Sequence, residues 1–508
     1  MSRINTNVTS LIAQRVLGRN QFDLRTSLER LSTGIKINRG KDDPAGLIAS
    51  ENLGAEIKAT NAAIGNADRA DQVVNIAESG LQEVSGLLTE LQGLVTSNAS
   101  SAGLSSEEKK ANQLQVDSIL QTIDRISSAT NFQGIKLLNG NFDFKVSGVA
   151  SGVSDYRVNA AKYGSSALNV DVLVTGSAQQ GGLFMSAGGS NLDLGGATSS
   201  FVIEIGGSLG SRQLTFSSGT SLANIAAQIN TFKDVTGVTA ATSGTGLKLT
   251  STDFGSSQFV SVKVVDDGGI GSSNNIGVYN LADQDFNAAK TTRLSSFANA
   301  SNAITDSGQD VKATINGITA TSDGKTARIS TDFLDVELTL DNSTSQTLGG
   351  VGSGTAFSIV SGGADFQLSS KVDIGGRVSL GLANVAIRNL GSTALGTLDQ
   401  LGQGKSLNLV DGDLTAAQKV VSEAIKQTSS LRGRLGAFQK NVVGATVRSL
   451  GIAVENTTAA QSVILPELLA LLDAHAEVYL ALEPAGATAA IHGPGIAIEQ
   501  IVGLGVGQ

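Results

Sequence analysis

Two pairs of adjacent aspartates are the side chains best placed for metal binding or acid–base chemistry. Asp42-Asp43 stands directly before Pro44, and Asp266-Asp267 stands before two glycines. A calcium-binding loop requires further oxygen ligands at fixed spacing and a closing glutamate, which the residues after Asp267 lack. Aspartate is a favoured N-cap, and proline suits the first position of a helix. We therefore interpret the first pair as a helix start and the second as a surface turn, and predict neither a metal nor a cofactor.

Nucleophiles and bases for catalysis are also scarce. The 508 residues include no Cys and only two His, His475 and His492. No His lies within 141–405, which excludes a zinc protease of the His-Glu-x-x-His type from that stretch. Covalent catalysis requires a nucleophile paired with a base, and the sequence offers no such pair. We predict that the chain is not an enzyme.

Charge and hydropathy argue against two further classes of function. Acidic residues outnumber basic ones by 45 to 36, for a net charge of −9, whereas nucleic-acid binding draws on excess positive charge. No run of 18 uncharged apolar residues is present, so no membrane insertion is expected. The N-terminal residues lack the basic and apolar regions of a secretory signal, which by this rule alone predicts a cytosolic protein.

The first of three patterns along the chain is helical and covers residues 1–140. It includes a helix start whose motif is Asp42, Asp43, Pro44 and Gly46, a long helix that ends near Asn98, and a third helix from about Ser105. Apolar residues three and four apart are typical of a coiled-coil seam. In this region that seam comprises Leu17, Leu24, Leu28, Leu31, Val74, Leu81, Leu88 and Val95.

Residues 406–464 have the clearest helical periodicity. The spacing predicts one helix of about 45 residues, with a seam that includes Leu431, Leu435, Phe438 and Val442. A long helix with a narrow apolar seam needs partner helices, so we expect the chain ends to pack on each other around an inserted middle region. The seams could form a core within the chain, contacts between subunits, or both.

The middle region, 141–405, changes to a β-strand pattern. The clearest hairpin signal is Asn316-Gly317 between two apolar strands, because this pair suits a tight type I′ turn. A short helix is predicted at 221–230. The predicted fold class is therefore α+β, with a helical coiled-coil bundle from both chain ends and an inserted β-rich region.

Several long motifs now carry a resemblance to bacterial flagellin. Those similar to its N-terminal helical region are Ile4-Asn5-Thr6-Asn7, Leu31-Ser32-Thr33-Gly34-Ile35-Lys36-Ile37-Asn38, Asp42-Asp43-Pro44-Ala45-Gly46-Leu47 and Asn131-Phe132-Gln133-Gly134-Ile135-Lys136-Leu137-Leu138. Those similar to its C-terminal region are Leu431-Arg432-Gly433-Arg434-Leu435-Gly436-Ala437 and Glu455-Asn456-Thr457-Thr458-Ala459-Ala460. Residues 220–251 resemble a repeat inserted in flagellin outer domains.

The resemblance implies an extracellular subunit of the flagellar filament, which reverses the cytosolic expectation. The implied parts are an N-terminal inner helix (1–40), an N-terminal coiled-coil part (41–140), a variable β-rich outer region (141–405), a C-terminal coiled-coil part (406–464) and an atypical tail (465–508). The implied partners are other flagellin subunits, the flagellar export apparatus, an export chaperone and hook-associated proteins, with no nucleic acid.

The tail departs from the family. Residues 465–508 hold both histidines and three of the four prolines, but neither Lys nor Arg. One hypothesis is a replaced or frame-shifted gene end that impairs polymerisation and chaperone binding. The alternative is that an apolar helix at 467–483 substitutes for the family's terminal helix.

The resemblance also suggests a contact with the vertebrate innate flagellin receptor. Leu94 matches an apolar contact there, but Gln92 stands in place of the usual arginine and Gln115 in place of the usual glutamate. We expect weak receptor activation, because a planar charged donor is lost.

Two other interpretations remain open. The first is a hook–filament junction protein, which shares the terminal helices. The second is a non-polymerising surface adhesin or decoy, whose β-rich region binds a ligand.

Overall fold

The computed structural model describes residues 7–100, 103–164, 166–196, 198–271, 273, 275–281 and 293–464. The fold is mixed α+β, in agreement with the predicted class. The helices are α1 (Val8–Thr33), α2 (Pro44–Asn98), α3 (Ser106–Ala129), α4 (Leu222–Thr231), α5 (Lys233–Thr236), α6 (Asn342–Gln346), α7 (Leu414–Ala437) and α8 (Gly444–Ile464), with a π segment at Phe438–Val443 and 3-10 turns at Phe297–Asn299 and Leu398–Leu401. The predicted tail, 465–508, and the motif residues Ile4 to Thr6 lie outside the described residues.

The described strands are short and almost all lie in the middle of the chain. They are β1 (Asn131–Phe132), β2 (Ile135–Lys136), β3 (Lys145–Ser147), β4 (Val153–Ala161), β5 (Leu168–Gly176), β6 (Gly182–Ala187), β7 (Ser200–Gly207), β8 (Gly210–Ser217), β9 (Val238–Ser243), β10 (Gly246–Ser251), β11 (Phe259–Asp266), β12 (Ile276–Asn280), β13 (Arg293–Ser295), β14 (Ile304–Ser307), β15 (Lys312–Ile315), β16 (Ile318–Thr319), β17 (Thr321–Asp323), β18 (Thr326–Ser330), β19 (Leu334–Leu340), β20 (Gly349–Ser361), β21 (Ala364–Gln367), β22 (Arg377–Leu380), β23 (Gly391–Ser392) and β24 (Gly396–Thr397).

The chain divides into two compact units. The first contains the described residues up to Gly65 and from Thr446 onward, and the second contains Asn66–Ala445. In the first unit, α1 begins at the N-cap Asn7, whose side chain accepts a hydrogen bond from the N–H of Ser10. It ends at Gly34, whose φ of 69° is the left-handed conformation that glycine adopts readily at helix ends.

The second unit contains a helical part built from α2, α3 and α7. Ser105 caps α3 in a capping box: its hydroxyl accepts from the N–H of Glu108, and the Glu108 carboxylate accepts from the N–H of Ser105 at 2.7 Å. The backbone bond and then the hydroxyl bond from Ser105 lower the pKa of Glu108. This box fixes where α3 begins, close to the predicted start.

Two antiparallel sheets form the first β-body, which we define as strands β3–β5 and β15–β20. Their strand orders are β16-β15-β5-β20-β3 and β17-β18-β19-β4. Alternate residues of β5 and β19, such as Val172 and Leu338, point into a shared apolar core. Asn316 and Gly317 have φ values of 49° and 78°, so the predicted β15–β16 turn has the two positive φ angles of type I′.

The second β-body, β6–β14 with α4 and α5, is inserted in the chain between β5 and β15. Its sheets have the orders β13-β12-β6-β10-β9 and β14-β11-β7-β8. Ser221 caps α4, which buries Leu222, Ile225, Ala226 and Ile229 on one face as its helical spacing predicts. The predicted β-rich middle therefore has two separate cores, one of them interrupted by the other in sequence.

Candidate assembly surface

The linker between α1 and α2 is held by the two adjacent aspartates of the helix-start motif. One oxygen of Asp42 accepts from the N–H groups of Asn38, at 3.2 Å, and Arg39, at 2.9 Å. Asp43 accepts from the N–H of Gly46 at 2.9 Å, which satisfies a donor of the first turn of α2. Both carboxylates are thus used by the backbone.

Gly46 lies where a side chain would not fit without displacement. A Cβ there would come within 2.5 Å of the Asp43 carboxylate and 2.7 Å of the end of Ile37. Ile37 is 5% exposed and packs beneath the helix start. The glycine therefore lets the capping carboxylate and this apolar anchor approach α2 together.

The apolar side chains of α1 are exposed. Leu17, Leu24, Leu28 and Leu31 are 55–60% exposed, and no residue of α1 is buried. The seam is therefore not buried among the described residues, and its role, within the chain or between subunits, stays a prediction. We call these four leucines, which lie on one face of the helix, the α1 stripe. Other exposed apolar residues lie on the remaining faces of α1: Val8, Leu11, Ile12, Val16 and Phe22. An apolar surface of this extent on one helix marks a site of interaction.

The seams of the second unit are buried instead. Seven of the predicted residues are at most 7% exposed, namely Val74, Leu81, Leu88, Val95, Leu431, Leu435 and Phe438. Hydrogen bonds connect α7 and the π segment to α2: Arg432 Nε of α7 donates to Glu78 Oε1 at 2.8 Å, and Gln439 of the π segment donates to Asn75 Oδ1 at 2.9 Å. The structure thus assigns these seams to a core within the chain.

Val442, which is predicted as a seam residue, does not take the fully buried position. It is only partly buried, whereas its neighbour Val443 is 3% exposed. The cause is the π segment Phe438–Val443, in which one extra residue is accommodated in a turn. The 3-4 spacing of apolar residues gives no sign of this extra residue. The spacing therefore assigns the buried position to Val442, one residue before the residue that occupies it.

The predicted receptor-contact residue Leu94 is half-buried on α2, and Gln92 is also half-buried. Gln115 is exposed on α3. The weak receptor activation expected from these residues stays a prediction.

The second aspartate pair, Asp266-Asp267, also forms hydrogen bonds with nearby backbone groups. Asp266 and Asp267 accept hydrogen bonds, each at 3.0 Å, from the N–H groups of Gly268 and Gly269. Among the described residues, no three His, Cys, Asp or Glu side chains cluster as metal ligands would. Within the same ranges, none of the helices combines the length and hydropathy needed to cross a bilayer.

Comparison with known proteins places the similarity in two regions. The family model of the bacterial flagellin N-terminal helical region matches residues 4–143, and that of the flagellin hook IN motif matches residues 200–253. The flagellar filament 33 kDa core protein of Treponema phagedenis is 34% identical over 27% of this chain and 48% of its own length. Flagellin A of Vibrio cholerae is 37% identical over 27% of this chain and 36% of its own length.

Solved structures of flagellar proteins match as well. FliC from Burkholderia pseudomallei matches at 16% identity and a TM-score of 0.22, over 73% of this chain and 99% of its own. The D1-D2-D3 domains of the flagellar cap protein FliD from Escherichia coli match at 19% identity and a TM-score of 0.27, over 48% of this chain and 62% of their own. The chain spans half or less of the length of the curated relatives it matches.

Proposed function

We propose that this flagellin-like chain is a structural subunit of the bacterial flagellar filament and lies outside the cell. The observation that carries the proposal is the exposed α1 stripe, since the described part of the chain leaves this apolar surface uncovered. Covering it with equivalent helices of neighbouring copies removes apolar area from water, which is the main favourable term in protein association.

The contrast between the two kinds of seam supports this division of roles. The seams of α2 and α7 are buried and stabilise the subunit itself. The α1 stripe has the same spacing but remains available to other copies. The match to the flagellin N-terminal helical region covers both seams of the N-terminal part, and the relatives include proteins named as a flagellar filament core protein and as flagellins.

The proposed partners follow from this role. They are other copies of this chain, hook-associated proteins at the filament ends, and the export apparatus with its chaperone, although the atypical tail puts chaperone binding in doubt. The role is structural and does not require catalysis.

Sedimentation and negative-stain microscopy of the purified chain test the proposal. We expect filaments from the parent chain or from its truncation after Ile464, and none when Leu24→Lys and Leu28→Lys are combined in the form that assembles, because two buried ammonium groups cannot be accommodated between apolar helices. Thr26→Lys is the matched control, since it adds the same group to the opposite face of α1. Filaments from the double variant equal to those of the parent would contradict the proposal.

Removal of residues 465–508 tests the two interpretations of the tail. A gain of filaments after truncation supports an assembly defect caused by the tail, and a loss supports a helix that takes part in assembly. Immunogold labelling along the filament, rather than at its base, separates a filament subunit from a hook–filament junction protein. A soluble monomer that binds a glycan would instead favour the adhesin interpretation.

A further inference from the structure

A cavity of about 370 Å³ lies in the second unit, where the first β-body meets α7. Its walls come from four stretches of the chain: residues 143–144, the β4 residues 155–159, the loop 381–393, and the α7 residues 427–434. Its volume is within the range of small-molecule sites. Its lining includes one residue of the buried seams, Leu431, and none of the α1 stripe.

One wall carries the guanidinium of Arg434. Among the described residues its hydrogen-bond acceptor is the neutral side-chain oxygen of Asn159. A guanidinium has five N–H donors in a planar fork, so most of these donors remain free for a group in the cavity. Burial lowers the pKa of Arg434 to about 10, although the carboxylates of Asp335 and Asp143 act in the opposite direction. Arg434 is therefore charged at neutral pH.

Carboxylates lie among the same lining residues. One oxygen of Asp143 accepts from the N–H of Phe144 at 2.9 Å, and one oxygen of Asp155 accepts from the N–H of Tyr156 at 2.9 Å. Burial raises the pKa of both aspartates, more than these hydrogen bonds lower it. Neither Asp143 nor Arg434 has an ion-pair partner within 4 Å in the described chain.

The remaining charges near the cavity are already paired. Arg157 contacts Glu423 at 2.9 Å and lies 3.8 Å from Asp155. Gln427 is fixed by hydrogen bonds to both backbone groups of Gly391. The cavity thus presents one cationic fork and one carboxylate that have no ion-pair partner within 4 Å among the described residues, together with amide groups that are held in place.

We propose that this cavity binds a free α-amino acid, with the ligand carboxylate on the guanidinium of Arg434 and the ligand ammonium group toward Asp143. An arginine fork matches a carboxylate bidentately, and such charge-assisted bonds are stronger than neutral ones. A neutral sugar supplies no charge to either group, whereas an amino acid supplies one of the required sign to each. The site is separate from the α1 stripe, so amino-acid binding and assembly can be tested independently.

Isothermal titration calorimetry of the full chain with a panel of amino acids tests the proposal. We expect at least one amino acid to bind with a Kd of about 1 mM or tighter, and acetate, methylamine and glucose to bind at least about tenfold more weakly. Binding of glucose as tightly as of the best amino acid would overturn the assigned ligand class. No heat from any amino acid would mean that the cavity holds water only, and would also overturn the proposal.

Variants locate the site. Arg434→Gln and, separately, Asp143→Asn are expected to weaken binding at least about tenfold, with circular dichroism verifying that each variant is folded. Arg432→Gln is the matched control, because Arg432 lies two residues away on the same helix, pairs with Glu78 and does not line the cavity. Unchanged affinity in both Arg434→Gln and Asp143→Asn would overturn the placement.

Discussion

At the scale of single residues, the side chains that first suggest metal or acid–base chemistry turn out to organise backbone. Asp42 and Asp43 each accept from main-chain N–H groups around the α1–α2 linker. Asp266 and Asp267 do the same in a surface turn. A carboxylate at a turn or at a helix start is well suited to this role, because main-chain N–H groups there lack partners within regular secondary structure.

Loss of the Asp43 cap is expected to loosen the start of α2. Asp43→Ala removes the acceptor for the N–H of Gly46, and N-cap losses of this kind cost about 1 kcal/mol. Hydrogen exchange of the amides of residues 45–48 should accelerate accordingly. Asn52→Ala is the control, because Asn52 is exposed on α2 about two turns beyond Pro44, and it should leave exchange at the helix start unaltered. Equal acceleration in both variants would argue against a capping role for Asp43.

Asp310 provides a pH-dependent contribution to stability. Burial raises its pKa, but hydrogen bonds from the hydroxyl and N–H of Ser256 and the N–H of Gly324 outweigh this, so the pKa lies below its ordinary value. A carboxyl whose pKa is depressed on folding stabilises the protein above its unfolded pKa, and the contribution is lost as pH falls through the folded pKa. Asp310→Asn should therefore destabilise the chain at pH 7 by about 1 kcal/mol, a modest figure because the site is half-exposed.

The measurement is urea denaturation of the parent and Asp310→Asn at a series of pH values. The difference between the two should be constant around neutrality and should shrink as pH falls below about 4. A difference that grows toward low pH would contradict the assigned sign.

At the scale of elements, the sequence predicts helix starts and hairpin turns correctly where a few neighbouring residues determine the backbone conformation. Asp43-Pro44 marks the start of α2, and Asn316-Gly317 marks a turn with two positive φ angles. The pattern cannot say which partner covers a seam, since the residues of the α1 stripe and of α2 have equivalent spacing but opposite exposure. Burial depends on partners distant in sequence, which a local period does not encode.

The π segment makes a specific prediction about deletions in the C-terminal helix. Removal of the exposed Asn441 should convert the segment to α-helix and keep both Phe438 and Val443 in the seam, because the π turn is a one-residue insertion. We expect the free energy of unfolding to change by less than about 1 kcal/mol, since no core group is lost.

Deletion of the exposed Lys426 in the regular helix α7 is the matched control. It should rotate the seam on one side of the deletion by about 100° relative to the other and destabilise the chain strongly. Urea denaturation followed by circular dichroism compares the two deletions. Equal destabilisation by both would show that the π segment is not an insertion in an otherwise continuous seam.

At the scale of the whole molecule, neither the nested β-bodies nor the cavity could be predicted from the sequence. Both are formed by residues far apart along the chain: Gly176 pairs with Lys312, and the cavity gathers residues from Asp143 to Arg434. Arg434 belongs to a motif that suggested only a family resemblance, and the sequence contains no local sign that it lines a cavity. Helical and strand periods identify the elements but not which of them meet.

The second β-body should be removable, because its two connections to the first β-body lie side by side. Gln179 and Gln309 exchange two backbone hydrogen bonds, at 2.8 and 2.9 Å. Such a pair can be closed by a two-residue turn, so Asn-Gly in place of residues 180–308 should leave the first β-body folded. We expect a loss of about 1–3 kcal/mol in unfolding free energy from the Asp310–Ser256 hydrogen bonds, and filament formation that matches the parent.

The matched control deletes residues 179–308 and joins Ala178 to Gln309 through the same turn, which shifts the register by one residue and exchanges the two faces of the strand. Denaturation should show a cooperative transition for the first variant and not for the control, and unfolding of both would mean that the first β-body depends on the second.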